Sequence, residues 1–248
     1  MNVKASEFSE ISISSFGPLN LNESSPDYGK LLVASSVKKQ SWKDKSIVSL
    51  LKKKFKKSKI SIQTDVNASA FGEFLQRKDS LKSSLAYITV GTGIGVGLVI
   101  NSKPVIGMMH PEGGHIPLLK TVNDQEAEFN SCQFHSSCVE GFSTNVYASN
   151  LLGVGLQDLE KHSDNKVFEE IAKNIGQLCA SVCLMTSVEK IVVGGGLSQS
   201  FNFLENVRLQ FKEHIKGYIA RGIIPDDYIE LCEDYDTIGM KGAAFLSI

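Results

Sequence analysis

Apolar and polar positions along the chain follow two different periods, which indicate strands and helices. Short apolar runs bounded by turn residues are typical of strands, and apolar residues recurring every three to four positions are typical of amphipathic helices. The predicted strands are 11–13, 31–34, 60–63, 85–90, 98–100, 190–193 and 229–232. The predicted helices are 43–55, 68–76, 143–152, 164–185 (in one piece or two), 202–218 and 239–246. Strands that alternate with helices predict an α/β fold.

Two glycine segments interrupt this pattern next to predicted strands. Glycines at alternate positions from Gly91 to Gly97 separate strand 85–90 from strand 98–100, which predicts a strand, a glycine turn and a strand. In such a turn the backbone N–H groups and the Thr92 hydroxyl can approach an anion closely, although a tight hairpin without a ligand is the alternative. Strand 190–193 ends in three glycines, 194–196, before a helix, and such a junction can accept a nucleotide close to its backbone.

An aspartate lies where strand 60–63 meets helix 68–76, within Thr64-Asp65-Val66-Asn67. Aspartate is a common N-cap residue, because its side chain accepts a hydrogen bond from the first turn of the helix. The other interpretation is a general base that faces a cleft. The local sequence alone favours the N-cap.

The loop 107–141 carries four side chains that are typical metal ligands. Cys132, His135 and Cys138 have the spacing C-x2-H-x2-C, and His115 precedes them. Two thiolates and two imidazoles suit a tetrahedral zinc site with no open position, which would be structural. The alternative is two core thiols beside solvated histidines. A bound zinc would also fix Glu112 and Glu140, whose carboxylates are good acceptors for sugar hydroxyls.

Composition and charge narrow the function classes. The 248 residues carry a formal net charge of −1 and 42% hydrophobic residues, which suits one large domain or two small lobes and argues against nucleic acid as the main partner. Six lysines between positions 52 and 59 fit a solvated helix end better than a phosphate or nucleic-acid patch. We expect no signal peptide and no membrane span. Of the five cysteines, Cys179 and Cys183 share one helix face and are predicted to be free and buried, as in a cytoplasmic protein.

Taken in order, these segments resemble the ROK family of sugar kinases, and most closely its fructokinases. The resemblance covers nearly the whole chain. The segments that carry it are Ser15-Phe16-Gly17-Pro18, Thr64-Asp65-Val66-Asn67-Ala68, Thr89 to Gly97, His110-Pro111-Glu112-Gly113-Gly114-His115, the run from Cys132 to Gly141, and Gly194-Gly195-Gly196.

The resemblance implies an actin-like ATPase (ribonuclease H-like) fold with two lobes and a kinase reaction between ATP, with Mg²⁺, and D-fructose at its 6-hydroxyl. It implies that Asp65 is the catalytic base. The sugar-binding residues would be Asn67, Glu112, His115 and Glu140. The nucleotide-binding residues would be Gly91, Thr92 and Gly93 at the phosphates and Gly194 and Gly195 near the adenosine. The metal ligands would be His115, Cys132, His135 and Cys138, and a homodimer is left open.

The chain departs from the family at one motif. ROK kinases begin with a strand carrying D-x-G-G-T, which forms a first phosphate loop, and the 248 residues contain no such motif. We therefore expect residues 1–84 to be a truncated N-terminal lobe and residues 85–248 to be the C-terminal lobe, with strand 11–13 at an exposed edge. On this interpretation the chain is a poor kinase.

Three functions compete. The first is a sugar kinase for fructose, or for another hexose such as mannose or glucose. The second is a non-catalytic sugar-binding protein that has kept the metal loop. The third is a ROK-type repressor, which needs an N-terminal helix-turn-helix that the first residues do not predict.

Overall fold

The computed structural model describes residues 7–32, 40–42, 45–119, 127–219 and 222–246. The predicted strand 31–34 and the start of predicted helix 43–55 lie partly outside these residues. The strands are β1 (Glu10–Ser15), β2 (Lys59–Thr64), β3 (Leu85–Val90), β4 (Ile94–Ile100), β5 (Lys103–Pro104), β6 (Ile191–Gly194) and β7 (Ile229–Leu231). The α-helices are α1 (Ile47–Lys54), α2 (Asp65–Gln76), α3 (Asn145–Leu152), α4 (Lys166–Thr186), α5 (Phe203–Ile215) and α6 (Ile238–Ala244).

The strands form two sheets, which confirms the predicted α/β class. The larger sheet has the order β5-β4-β3-β6-β7, in which β3, β6 and β7 are parallel and β4 and β5 are antiparallel to their neighbours. Strands β1 and β2 form a separate parallel pair, in which Glu10 faces Lys59 and Ser15 faces Thr64. Because β3 and β6 run in the same direction, the glycine segments that follow them lie at one edge of the larger sheet.

Helix α4 is a single helix of 21 residues, so the two-piece alternative is wrong. It begins at an N-cap, Asn165, whose side chain accepts the Val167 N–H at 3.1 Å. Its buried face carries Cys179 and Cys183, which are free thiols as predicted. Helix α5 packs against α4 and ends earlier than predicted, since Lys216 and Gly217 both have positive φ.

Helix α2 joins the two sheets and packs on both. A buried apolar cluster includes Ala70 and Phe74 of α2 together with Leu85 and Tyr87 of β3. The predicted lobe boundary between residues 84 and 85 therefore crosses a continuous apolar contact, and its assignment stays a prediction. A chain of ion pairs strengthens the same contact: Glu73 to Arg77, Arg77 to Glu230, and Glu230 to Lys190.

Glycines allow α2 to touch its neighbours backbone to backbone. A side chain at Gly97 of β4 would overlap the Val66 carbonyl, and one at Gly242 of α6 would overlap the Ala68 carbonyl. The first turn of α2 is thereby held between β4 and α6. Among the helices that the structure describes, none combines the length and apolar character needed to cross a membrane.

Candidate functional site

Asp65 is the first residue of α2, and the N-cap is the residue before it. The Thr64 hydroxyl accepts the Asn67 N–H at 3.2 Å, so the helix begins at Asp65 rather than at residue 68. The interpretation of Asp65 as the N-cap is therefore wrong. Its carboxylate accepts the Val66 N–H at 2.9 Å and remains exposed to solvent.

Asp65 lines a cleft of about 340 Å³ between α2, β3 and the start of α6. Thr89, in β3 two residues before the glycine turn, lines the same cleft, as do Ser14 and Asp236. The cleft therefore extends from the exposed Asp65 to the end of the strand that leads into the glycine turn.

Tyr87 also lines the cleft, although it is not among the site residues predicted from the sequence. Its hydroxyl hydrogen-bonds with Cys232 and Ser69, and burial raises the pKa of Tyr87 well above its usual value. The alternation of side chains along a strand could have indicated Tyr87, because it is two residues from Thr89 on β3 and so shares a face with it.

The glycine turn is shorter than the segment from Gly91 to Gly97. The Gly91 N–H bonds the Gly93 carbonyl at 3.1 Å, and β4 already begins at Ile94. Gly95 and Gly97 belong to that strand, where they make room for the first turn of α2. Thr92 is exposed at the tip, and a Cβ added at Gly91 would have no atom within 4 Å.

The second glycine segment lies beside the first. Gly194 is the register partner of Thr89 in the parallel β3–β6 pair. Gly195 has a φ of +93°, and an added Cβ would lie 2.5 Å from the Val90 carbonyl oxygen. The close approach of these backbones requires glycine, and it places the two segments side by side at the carboxyl ends of two parallel strands, where ligands commonly bind in open α/β sheets.

The predicted metal ligands His115, Cys132, His135 and Cys138 come together, with their ligand atoms all within 4.8 Å of one another. The His115 Nδ1 lies 3.8 Å from the Cys132 Sγ and 3.9 Å from the Cys138 Sγ, and the His135 Nδ1 lies 3.4 Å from the Cys132 Sγ. Ordinary zinc–sulfur and zinc–nitrogen bond lengths give a tetrahedron edges of about 3.3–3.8 Å. The four side chains therefore fit a tetrahedral metal ion in both chemistry and spacing.

The backbone around these ligands favours thiolates. The Phe134 N–H donates to the Cys132 Sγ at 3.5 Å, and the Gly141 N–H donates to the Cys138 Sγ at 3.4 Å. An antiparallel bridge between Pro117 and Cys138 brings the His115 side of the loop to the cysteines. Burial alone has the opposite effect, because it raises the pKa of the Cys138 thiol to about 12, and a bound cation would offset this by favouring the thiolate.

His115 presents its second nitrogen to two carboxylates. The His115 Nε2 lies 4.0 Å from Oε2 of Glu112 and 3.9 Å from Oε1 of Glu140. The other oxygen of Glu140 accepts the Ile94 N–H at 3.1 Å, which ties the metal loop to the start of β4 directly after the glycine turn. Carboxylates beside the outer nitrogen of a metal-binding imidazole are a common way to orient that ligand.

Asn67 makes its hydrogen bonds with other residues. It is fully buried. Its side-chain nitrogen donates to the Val105 carbonyl at 3.0 Å, and its oxygen accepts the Leu98 N–H at 3.2 Å. These contacts give Asn67 a scaffold role between α2 and β4 and lend no support to its predicted contact with a sugar.

A model of the ROK family matches residues 1–248 of this chain. A fructokinase from Zymomonas mobilis is 32% identical over 244 residues, which cover 98% of this chain and 79% of that protein. A fructokinase from Streptococcus mutans is 32% identical over 226 residues, which cover 90% of this chain and 73% of that protein.

Solved structures agree on the fold. A ROK family glucokinase from Streptomyces griseus, determined with glucose and AMPPNP, is similar over 96% of this chain and 80% of that chain, with a TM-score of 0.70 and 20% identity. This likeness confirms the predicted actin-like ATPase fold.

Proposed function

Because the chain belongs to the ROK family, we propose that it is an ATP-dependent sugar kinase and that its substrate is D-fructose, phosphorylated at the 6-hydroxyl. Relatives at 32% identity are fructokinases. The observation that carries the proposal is the hydrogen bond from the Ile94 N–H to Glu140, which holds Glu140 beside the glycine turn. Glu112 lies near the same nitrogen of His115 as Glu140, so two carboxylates that can accept hydrogen bonds from sugar hydroxyls lie close to that turn. A sugar held there would have its hydroxyl near the phosphates of a nucleotide.

Asp65 would act as the general base in this reaction. Its carboxylate would take the proton of the 6-hydroxyl while the sugar oxygen forms a bond to the γ-phosphorus and the bond to the ADP oxygen breaks. Phosphoryl transfer depends mainly on positioning and charge stabilisation, so rigid placement by α2 matters more than any covalent chemistry. Mg²⁺ would arrive with ATP and offset the phosphate charge.

The two glycine segments would hold the nucleotide. Gly91, Thr92 and Gly93 would lie at the phosphates, where bare backbone permits close approach, and Gly194 and Gly195 would lie near the adenosine. The side-by-side placement of Thr89 and Gly194 supports one continuous nucleotide site.

The metal loop would support sugar binding rather than chemistry. We propose that His115, Cys132, His135 and Cys138 hold one Zn²⁺. Four protein ligands would leave no open position, so the ion would stabilise the loop and thereby fix Glu112 and Glu140.

Gly91→Ala is expected to raise KM for ATP about tenfold or more while leaving the melting temperature unchanged. The added methyl group meets no protein atom within 4 Å, so it can only obstruct a ligand that needs the space. Steady-state kinetics and thermal melting measure the two effects. Gly107→Ala is the matched control, because its added Cβ makes only an ordinary 3.9 Å contact. An unchanged KM for ATP in Gly91→Ala would contradict the placement of the phosphates.

The substrate is tested by incubating the chain with ATP and fructose, mannose or glucose and identifying the phosphorylated position by NMR. We expect the highest kcat/KM for fructose, with 6-phosphate as product. A higher kcat/KM for mannose or glucose would replace fructose but keep the kinase. Sugar binding without any transfer would favour the second candidate, a non-catalytic sugar-binding protein. The cytoplasmic location and the homodimer stay predictions.

A further inference from the structure

His110 is a buried histidine that connects two segments far apart in the chain. Only 4% of its surface is exposed. Its Nε2 accepts the backbone N–H of Leu19 at 3.1 Å, across 91 residues of sequence. The contact is close-packed, since a Cβ added at Gly17 would lie 3.0 Å from the Nε2 and Cε1 atoms of His110.

The partners of the ring define its tautomer. Because Nε2 accepts a hydrogen bond, the single proton of the neutral ring is on Nδ1. Nδ1 lies 3.3 Å from the Pro111 carbonyl oxygen and 3.5 Å from Oε1 of Glu112, and both are acceptors. Burial lowers the pKa of His110, which keeps the ring neutral.

We propose that His110 is a positioning residue, which aims the Glu112 carboxylate at the sugar and holds segment 16–19 beside it. The inference rests on the proposed function, because it assumes that Glu112 binds a sugar hydroxyl. The two nitrogens have separate tasks: Nδ1–H donates to the Pro111 carbonyl and so fixes the backbone directly before Glu112, whose carboxylate lies 3.5 Å away, and Nε2 fixes the loop after β1. Neutral imidazole suits this position because it presents a donor and an acceptor at opposite sides of one rigid ring.

A purely structural role would have a different signature. If His110 only satisfied the Leu19 N–H inside the core, any substitution would lower stability, and sugar affinity would follow the loss of folded protein. A positioning role instead predicts that sugar affinity depends on the Nδ1 side of the ring and amide protection depends on the Nε2 side.

Two substitutions separate these sides. In His110→Gln the side-chain amide reaches the Nε2 position and can accept the Leu19 N–H, but the donor to the Pro111 carbonyl beside Glu112 is lost. In His110→Asn the amide lies at the Nδ1 position and can donate to the Pro111 carbonyl, but the acceptor for Leu19 is lost. His214→Gln is the control, because His214 lies on α5 and bonds Gln210 there.

Fructose affinity is measured by calorimetry without ATP, Leu19 amide protection by hydrogen exchange, and stability by thermal melting. We expect His110→Gln to raise Kd for fructose about tenfold with Leu19 still protected, as for the loss of one buried hydrogen bond that positions a binding residue. His110→Asn should expose the Leu19 amide and lower the melting temperature, while Kd stays within about threefold of the parent value.

Each of the remaining outcomes would contradict either the proposed function or the role of His110. A parent chain that binds no hexose would refute the proposed function and this inference with it. If the parent binds fructose and His110→Gln binds it with equal affinity, only the inference is refuted. Equal affinity loss in both variants, in proportion to their loss of stability, would assign His110 a structural role only. A double-mutant cycle with Glu112→Gln adds a direct check, because coupled residues give non-additive losses.

Discussion

Asp65→Asn is expected to lower kcat for fructose phosphorylation by a factor of about 10²–10⁴, the usual contribution of a general base. Asparagine has the same shape and its oxygen can still accept the Val66 N–H, so helix α2 should form as before. Because only the proton acceptor is lost, KM for fructose and for ATP should change little. Steady-state kinetics at saturating ATP, together with circular dichroism, measure the effect.

The control for this experiment is Asp79→Asn. Asp79 is an exposed aspartate just beyond the other end of the same helix, so the substitution removes the same charge far from the cleft. We expect it to be indistinguishable from the parent. Equal turnover by Asp65→Asn and the parent would remove Asp65 from the mechanism, whatever the sugar.

Loss of the metal is expected to have the largest effect on stability. In Cys138→Ser, zinc content should fall from about one ion per chain to near zero, and the free energy of unfolding should fall by more than about 4 kcal/mol. Fructose affinity should fall as well, since the imidazole of His115 between Glu112 and Glu140 would no longer be held in place by the metal. Metal analysis, denaturant unfolding and calorimetry check the three quantities.

Cys179→Ser separates ligand loss from the cost of burying a hydroxyl group. Cys179 is a free thiol, fully buried like Cys138, and lies outside the metal cluster. The Cys179→Ser variant should lose stability yet keep its zinc and its affinity for fructose. If Cys138→Ser also kept a full complement of zinc, the ligand set would be wrong.

Local sequence patterns predicted the long elements well. Helix α4 was predicted within two residues at its start and one at its end, because its apolar face repeats over six turns and Asn165 caps it. The clustering of His115, Cys132, His135 and Cys138 could also be predicted, since three of them share one short motif. Asp65 was misjudged as a cap because Thr64 and Asp65 are both good N-cap residues, and a sequence alone does not show which side chain turns back on the helix.

Contacts between distant segments account for what the sequence could not show. The surroundings of His110 depend on the Leu19 N–H, 91 positions away, and those of Tyr87 depend on Cys232, more than 140 positions away. Likewise, the buried environment of Asn67 arises where β4 crosses α2, which no property of residues 64–68 indicates. In each case the partner, rather than the residue type, determines the environment of the side chain.

The backbone contact between α2 and α6 has a mechanical consequence. Asp65 begins α2, and Asp236 lies just before α6, and both residues line one cleft. Gly72 and Gly242 bring the two helix backbones into close approach, since a Cβ at either position would overlap a carbonyl oxygen of the other helix. Because so close a contact tolerates little sliding, we expect the spacing between Asp65 and Asp236 to change little when a substrate enters. Any closure of the cleft would then come from elements outside this helix pair.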